Sequence, residues 1–210
     1  MNCLLACDPA GRVIWMLNGW EGSANDAKIY RDAISSRNLR IQPRRYFVAD
    51  AGFGAAYRLL VPFKGIRYHL AEFAKAGQRP VTRLELFNLR HSQLRIQVEK
   101  TIGVLKQKFR IHRVEPTYCP KVQCLIIYAS AGIMNFLIDN GDSDDLAIKD
   151  YEPDDFDELM SVRQPEVPTN DWYSSDDRKV GKNAKMNRFR ARISKQMWDD
   201  YQTVLEKRRE

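Results

Sequence analysis

Two carboxylates carry the clearest chemical signal in the sequence. Glu99 lies in a run (residues 88–109) that is otherwise rich in arginine and lysine, and Asp50 directly follows an apolar run, residues 46–49. A carboxylate among cations suits a divalent metal ion that faces a phosphate, because hard cations prefer oxygen ligands. Each acid also has an ordinary interpretation. Glu99 is one helical turn from Arg95 and would form a surface ion pair with it, and an aspartate after a strand often starts a turn.

The spacing of apolar residues predicts the elements that hold these two acids. In residues 88–109 they recur at steps of three and four, which predicts a helix with one buried stripe and Glu99 beside that stripe. The stripe consists of Leu94, Val98, Ile102, Leu105 and Phe109. Residues 46–49 predict a buried strand that ends at Asp50. Functional groups of α/β proteins commonly lie at that end of a strand.

Other patterns predict the rest of an α/β domain. Two short apolar runs joined by a turn predict antiparallel strands at residues 3–7 and 13–17. A helix is expected at residues 25–35, with Ser23 as its N-cap. A further strand is expected at 59–63, a second apolar helix at 121–138, and a basic amphipathic helix at 185–207.

Charge divides the chain into three segments. Residues 1–138 hold 21 Lys and Arg against 9 Asp and Glu, whereas residues 139–177 hold 2 against 14 and residues 178–210 hold 11 against 4. A basic body of this kind favours a polyanionic partner such as nucleic acid, although solubility alone would also explain it. The acidic segment is poor in apolar residues and is typical of a disordered linker.

A set of short motifs around the two acids narrows the interpretation. Asp50 and Glu99 have 48 residues between them. The motifs occur in the following order along residues 2–138: Gly19-Trp20-Glu21-Gly22-Ser23-Ala24-Asn25-Asp26, Val48-Ala49-Asp50-Ala51-Gly52-Phe53, Pro62-Phe63-Lys64-Gly65, Leu86-Phe87-Asn88-Leu89-Arg90-His91-Ser92, Arg95, Glu99-Lys100-Thr101-Ile102-Gly103-Val104-Leu105-Lys106 and Met134-Asn135-Phe136. In this order they resemble the catalytic domain of the PIF/Harbinger-type transposases and their domesticated nuclease relatives, which are DDE nucleases.

The resemblance implies an RNase H-like fold and two-metal cleavage of DNA phosphodiester bonds. It makes Asp50 and Glu99 the second and third acids of the site and ligands of two Mg²⁺ or Mn²⁺ ions. Arg95 would orient Glu99 or neutralise a phosphate. His91 would contact the substrate or pack the helix. A further two residues, Lys106 and Lys108, would contact the DNA backbone or remain solvated.

One element of the family pattern is not in this sequence. The first acid of the family lies in an Asp-Gly-Thr-like strand upstream of the matching motifs, and neither Asp8 nor Asp26 corresponds to it by position. The expectation is therefore an N-terminally truncated RNase H-like domain that is inactive by itself. The alternative is a non-catalytic, domesticated or decayed transposase remnant that binds DNA or a protein partner.

The expected organisation has three parts. Residues 1–138 form the partial endonuclease domain, residues 139–184 an acidic disordered linker, and residues 185–207 the basic helix. No apolar run approaches the roughly 18 residues of a membrane span, so no membrane association is expected. The resemblance implies a nuclear protein, which would stay in the cytoplasm without its partner, and that partner would be a Myb-like DNA-binding protein. The sequence leaves the oligomeric state and the role of the basic helix open.

Overall fold

The computed structural model of the chain describes residues 1–36, 39–67, 79–114, 117–141 and 182–207. Its elements are β1 (Asn2–Cys7), β2 (Val13–Trp20), α1 (Asp26–Ser35), β3 (Phe47–Val48), β4 (Leu59–Leu60), α2 (Arg83–Lys108), α3 (Pro120–Asp139) and α4 (Lys182–Lys207). The chain divides into two compact units. The first unit is Met1–Arg40 with Arg95–Tyr151, and the second is Ile41–Leu94 with Glu152–Glu210. The described part of the chain is thus a mixture of helices and strands, as expected for an α/β protein.

The first unit begins with an antiparallel hairpin of β1 and β2. Asp8 closes its turn, because one carboxylate oxygen accepts hydrogen bonds from the backbone N–H groups of Ala10 and Arg12 at 2.9 and 3.0 Å. The other carboxylate oxygen pairs with the Arg12 side chain at 2.9 Å. Both predicted strands and the turn between them are confirmed.

Helix α1 starts two residues later than its predicted cap implies. The N-cap is Asn25, whose side chain accepts a hydrogen bond from the N–H of Ala27 at 2.8 Å, and not Ser23. Asparagine and serine cap equally well, so sequence preference does not separate them. The helix buries Ile29, Tyr30 and Ala33.

Helix α3 is held against the hairpin by a side-chain amide. Asn135 accepts a hydrogen bond from the N–H of Val13 at 2.8 Å and donates one to the same residue's carbonyl at 2.9 Å. Met134 packs beside it with Val104 and Leu105 in the core of this unit. By length and composition alone, α3 is long and apolar enough to cross a membrane, which corrects the expectation that no segment approaches that length.

The second unit contains the parallel pair of β3 and β4. Its core combines Leu60 of β4 and Phe87 of α2 with Met186 and Phe189 of α4. The basic C-terminal helix therefore packs onto its own unit through the apolar stripe that the sequence predicts. The domain boundaries remain a prediction, and residues 142–181, which include most of the expected linker, lie outside the described residues.

Helix α2 contributes its first part to the second unit and its last part to the first, and its predicted buried stripe is only partly correct. Leu94 is 58% exposed and Ile102 is 38% exposed. In the first unit the helix buries Leu105 of the predicted stripe together with Thr101 and Val104, which lie outside the stripe. The hydroxyl of Thr101 donates a hydrogen bond to the carbonyl of Gly11 in the hairpin turn at 3.2 Å. This contact buries Thr101 in place of the adjacent Ile102, which hydrophobicity alone would place on the buried side.

Candidate functional site

Asp50 lies in the second unit at the carboxyl end of β3. The preceding residue, Ala49, is buried and its N–H donates to the carbonyl of Leu60 at 2.9 Å, which continues the pairing with β4. Asp50 then caps a single 3-10 turn, Ala51–Phe53, and its carboxylate accepts a hydrogen bond from the N–H of Ala51 at 2.6 Å. The side chain is half-buried. Both sequence interpretations of Asp50 thus agree with its geometry, because it ends a strand and also starts a turn.

Glu99 lies in the first unit on the exposed side of α2. Two residues along a helix are separated by about 200° around its axis, so Glu99 is opposite the buried Thr101 rather than beside a buried stripe. Its side chain is 63% exposed, and one carboxylate oxygen pairs with the guanidinium of Arg95 at 3.3 Å. This is the ion pair that the simpler interpretation predicts. It also leaves the carboxylate accessible to a ligand from solvent.

The other predicted site residues divide into buried and exposed groups. His91 is only 3% exposed, and its Nε2 lies 3.2 Å from the carbonyl oxygen of Leu60, which places it as a helix-packing residue of the second unit. Lys106 is exposed near the end of α2, and Lys108 is half-buried. The structure brings Arg95 and Glu99 together, whereas His91 is bonded to β4.

Asn88 organises the segment after β4 and was not singled out from the sequence. Its side chain is fully buried, accepts a hydrogen bond from the N–H of Phe63 at 2.8 Å, and donates to that residue's carbonyl at 3.0 Å. The same amide nitrogen lies 3.3 Å from the carbonyls of Ile66 and Arg67. An amide within an otherwise apolar stretch of helix was the available signal, because a buried amide requires hydrogen-bond partners.

Arg190 of α4 also holds the segment that follows β4. Its guanidinium donates to the carbonyls of Val61 and Pro62 at 3.0 and 2.9 Å, and lies 4.2 Å from the ring centroid of Phe63. Burial lowers the pKa of Arg190 from its usual value. Arg190 belongs to the basic helix that the sequence predicts, and its charge is used for backbone contacts within its own unit.

A family model described as DDE superfamily endonuclease matches residues 1–135, which include both Asp50 and Glu99. The chain belongs to this family. Searches of curated proteins and of solved structures gave no match. The mixture of helices and strands is consistent with a DDE nuclease domain.

DDE endonucleases generally use divalent metal ions, so the two carboxylates are candidate ligands. Asp50 and Glu99 offer oxygen donors, which suit Mg²⁺ or Mn²⁺. Within the described residues, no group of three or more His, Cys, Asp or Glu side chains forms a metal cluster. The donor type therefore fits the metal, while a complete ligand set is not assembled from the part of the chain that the structure describes.

Most residues of the Gly19–Asp26 motif line a cavity in the first unit. The cavity has a volume of about 620 Å³, and its walls include Asn18, Glu21 and Asn25. The ammonium group of Lys28 lies 5.5 Å from the ring centroid of Trp20, in a cation–π contact at the same wall. The motif residues thus form an accessible surface feature with both charged and aromatic groups.

Proposed function

We propose that this chain is a transposase-derived DNA nuclease domain of the PIF/Harbinger type, in which Asp50 and Glu99 are ligands of divalent metal ions. The observation that carries the proposal is the family match across residues 1–135. This region includes Asp50 at a strand end and Glu99 on the exposed side of a helix. The proposed substrate is DNA, and the proposed ions are Mg²⁺ or Mn²⁺.

Divalent ions held by Asp50 and Glu99 would supply activation of a water molecule and stabilisation of the oxygen that leaves the phosphate. Neighbouring groups of this chain hold and orient the two carboxylates that would bind the ions. The hydrogen bond from the N–H of Ala51 restrains the Asp50 carboxylate at the end of β3. Arg95 holds the Glu99 carboxylate from one turn away, and its charge would remain available to a phosphate when the carboxylate binds metal.

We expect this polypeptide by itself to bind DNA without cutting it. The family resemblance assigns Asp50 and Glu99 to two of the three acids and assigns no residue of this sequence to the first. Supercoiled plasmid incubated with the chain and Mg²⁺ or Mn²⁺ should remain supercoiled on a gel. Metal-dependent nicking that is lost in both the Asp50→Ala and Glu99→Ala variants, and kept in Asp199→Ala, would overturn this expectation.

Amide variants of the same three acidic residues test whether the two carboxylates face DNA. Without metal, a carboxylate near a phosphate repels it. Asp50→Asn and Glu99→Gln should therefore each tighten metal-free DNA binding, whereas Asp199→Asn on α4 should leave it unchanged. Equal DNA affinities for the wild type and the three variants would argue that Asp50 and Glu99 do not form the DNA-facing site. That result would not affect the family membership of the chain.

DNA binding is expected to be salt-dependent and tolerant of sequence. Phosphate contacts release counterions, so affinity falls as salt rises. Lys106→Ala should weaken binding and lower the slope of log affinity against log salt by about one. Gln107→Ala changes the adjacent exposed residue without removing charge and serves as the matched control. Fluorescence anisotropy of two unrelated duplexes at several salt concentrations measures both quantities, and a flat salt response would contradict the basic body as the contact surface.

A second candidate function is a non-catalytic remnant that binds DNA or a protein. The Arg95–Glu99 ion pair favours it, because an exposed ion pair is compatible with a surface that has no catalytic role. Under either function we propose a nuclear location and a Myb-like DNA-binding partner. Isolation of the tagged chain from nuclei, followed by mass spectrometry, tests both. Recovery only from the cytoplasm without a DNA-binding partner would count against them.

A further inference from the structure

The outer face of α3 carries a continuous apolar stripe with the spacing of a helix–helix interface. We call it the α3 seam. Its residues are separated by three, four, three and four positions, and they are Val122, Leu125, Ala129, Gly132 and Phe136. All are exposed within the part of the chain that the structure describes. Alternating steps of three and four are the repeat by which two helices pack along their length.

The seam is distinct from the face that α3 uses within the first unit. Ser130, Ala131 and Met134 are buried, and Asn135 is bonded to β2. The exposed fractions of Val122, Leu125 and Phe136 are 37%, 60% and 66%. No charged residue occurs in residues 122–138. An uncharged exposed face of this length favours an apolar partner.

We propose that the α3 seam pairs with the α3 seam of a second copy, antiparallel, across a two-fold axis near Ala129. In that arrangement the seam is complementary to itself, as a two-fold interface requires. Val122 opposes Phe136, and Leu125 opposes Ile133, which is also exposed. The small side chain of Ala129 meets its own copy at the axis and allows the helices to approach closely.

The charges at the two ends of α3 support the antiparallel orientation. Lys121 stands at the start of the helix and Asp139 at its end, and both are exposed. Antiparallel pairing places Lys121 of each copy near Asp139 of the other. Parallel pairing would instead bring like charges together at both ends. Asp139 also pairs with Arg12 at 3.0 Å, and its side chain is 55% exposed, so it remains accessible to a second cation.

The exposed area is sufficient for a weak dimer. The seam and its neighbours Tyr118, Tyr128 and Ile133 are large enough to expose roughly 500–600 Å² of mostly apolar side-chain surface per copy. Two copies would bury about 1,000–1,200 Å² together, near the lower limit of specific interfaces. We therefore expect a reversible dimer with a dissociation constant in the micromolar range.

Sedimentation velocity of the full chain over a micromolar concentration series measures this association. The wild-type chain should shift from monomer to dimer as concentration rises. Leu125→Glu with Phe136→Glu should abolish the dimer, because four charges would be buried without partners. Val114→Glu places the same charge at an exposed valine of the first unit outside the seam, and should leave the dimer unchanged. Circular dichroism of each variant verifies that it is folded.

A zero-length carbodiimide cross-link tests the orientation in the unmodified chain. Lys121 and Asp139 are 18 residues apart on one helix, which separates their backbones by about 27 Å. An amide bond between their side chains can therefore form only between two copies. Its detection by mass spectrometry supports the antiparallel dimer, and its absence from a cross-linked dimer overturns it.

Two other occupants of the seam give different results. If residues 142–181 of the same chain cover it, the protein stays monomeric at all concentrations. If a lipid surface covers it, the chain floats with phosphatidylcholine vesicles and Leu125→Glu with Phe136→Glu abolishes flotation without any dimer. Either result, or a dimer that survives the double variant, overturns the proposal.

Discussion

Replacing Asn88 with alanine is expected to lower the free energy of unfolding of the second unit by about 2–4 kcal/mol. The fully buried amide satisfies the N–H and the carbonyl of Phe63 and lies within 3.3 Å of two further carbonyls. Alanine removes all of these hydrogen bonds and leaves buried backbone groups without their partner. Asn88→Asp should be no better, because a carboxylate cannot donate to the three carbonyls.

Hydrogen exchange measures this effect at the affected group. The N–H of Phe63 should exchange faster in Asn88→Ala, because its acceptor is removed, and urea denaturation should give a lower midpoint. Asn183→Ala in the same unit changes an exposed asparagine near the start of α4 and provides the control. Unchanged protection of Phe63 in Asn88→Ala would show that the amide does not hold this segment.

Replacing Gly11 with alanine is expected to destabilise the first unit by about 1–3 kcal/mol. Gly11 has a φ of +85°, which strains any residue with a Cβ atom, and an added Cβ would lie 2.7 Å from Nε2 of Gln97 and 3.3 Å from Oγ1 of Thr101. The Gln97 side chain can move away, so the backbone strain and the disturbed Thr101 hydrogen bond account for most of the cost.

Gly132→Ala is the matched control for this substitution. Gly132 lies within α3, and an added Cβ would meet nothing within 4 Å. Alanine favours the helix over glycine by roughly 0.5–1 kcal/mol, so this variant should be more stable than the wild type. Thermal unfolding followed by circular dichroism at low protein concentration compares the two. A Gly11→Ala variant as stable as the wild type would show that the hairpin turn tolerates the strain.

Local patterns predicted the elements well. The hairpin of β1 and β2, the strand before Asp50 and the three longer helices α2, α3 and α4 all follow from runs and periodicities of a few residues. Their limits are less accurate: the strand expected at 46–49 is Phe47–Val48, and the N-cap of α1 is Asn25. Strand limits depend on partners elsewhere in the chain, and Asn and Ser have similar capping preferences.

The candidate site likewise has features that the sequence predicted and features that it left open. Residue type and motif order pointed to Asp50 and Glu99, and the family match includes both. Their roles as metal ligands remain a prediction. The sequence left His91 between substrate contact and helix packing, and the structure buries its side chain with Nε2 near the carbonyl oxygen of Leu60. Burial of a histidine depends on what surrounds it, which periodicity along one helix does not reveal.

What the sequence alone determined is the set of elements, the partition of charge and the two carboxylates with the motifs around them. Only the tertiary structure decided which sides of the helices are buried. The side of α2 that carries Glu99 is exposed, because the opposite side carries Thr101, whose hydrogen bond to Gly11 turns it towards the hairpin. The α3 seam remains exposed, because Asn135 turns the other side towards the hairpin. Hydrophobicity ranks residues by type, whereas specific polar contacts between distant segments select the side of each helix that is covered.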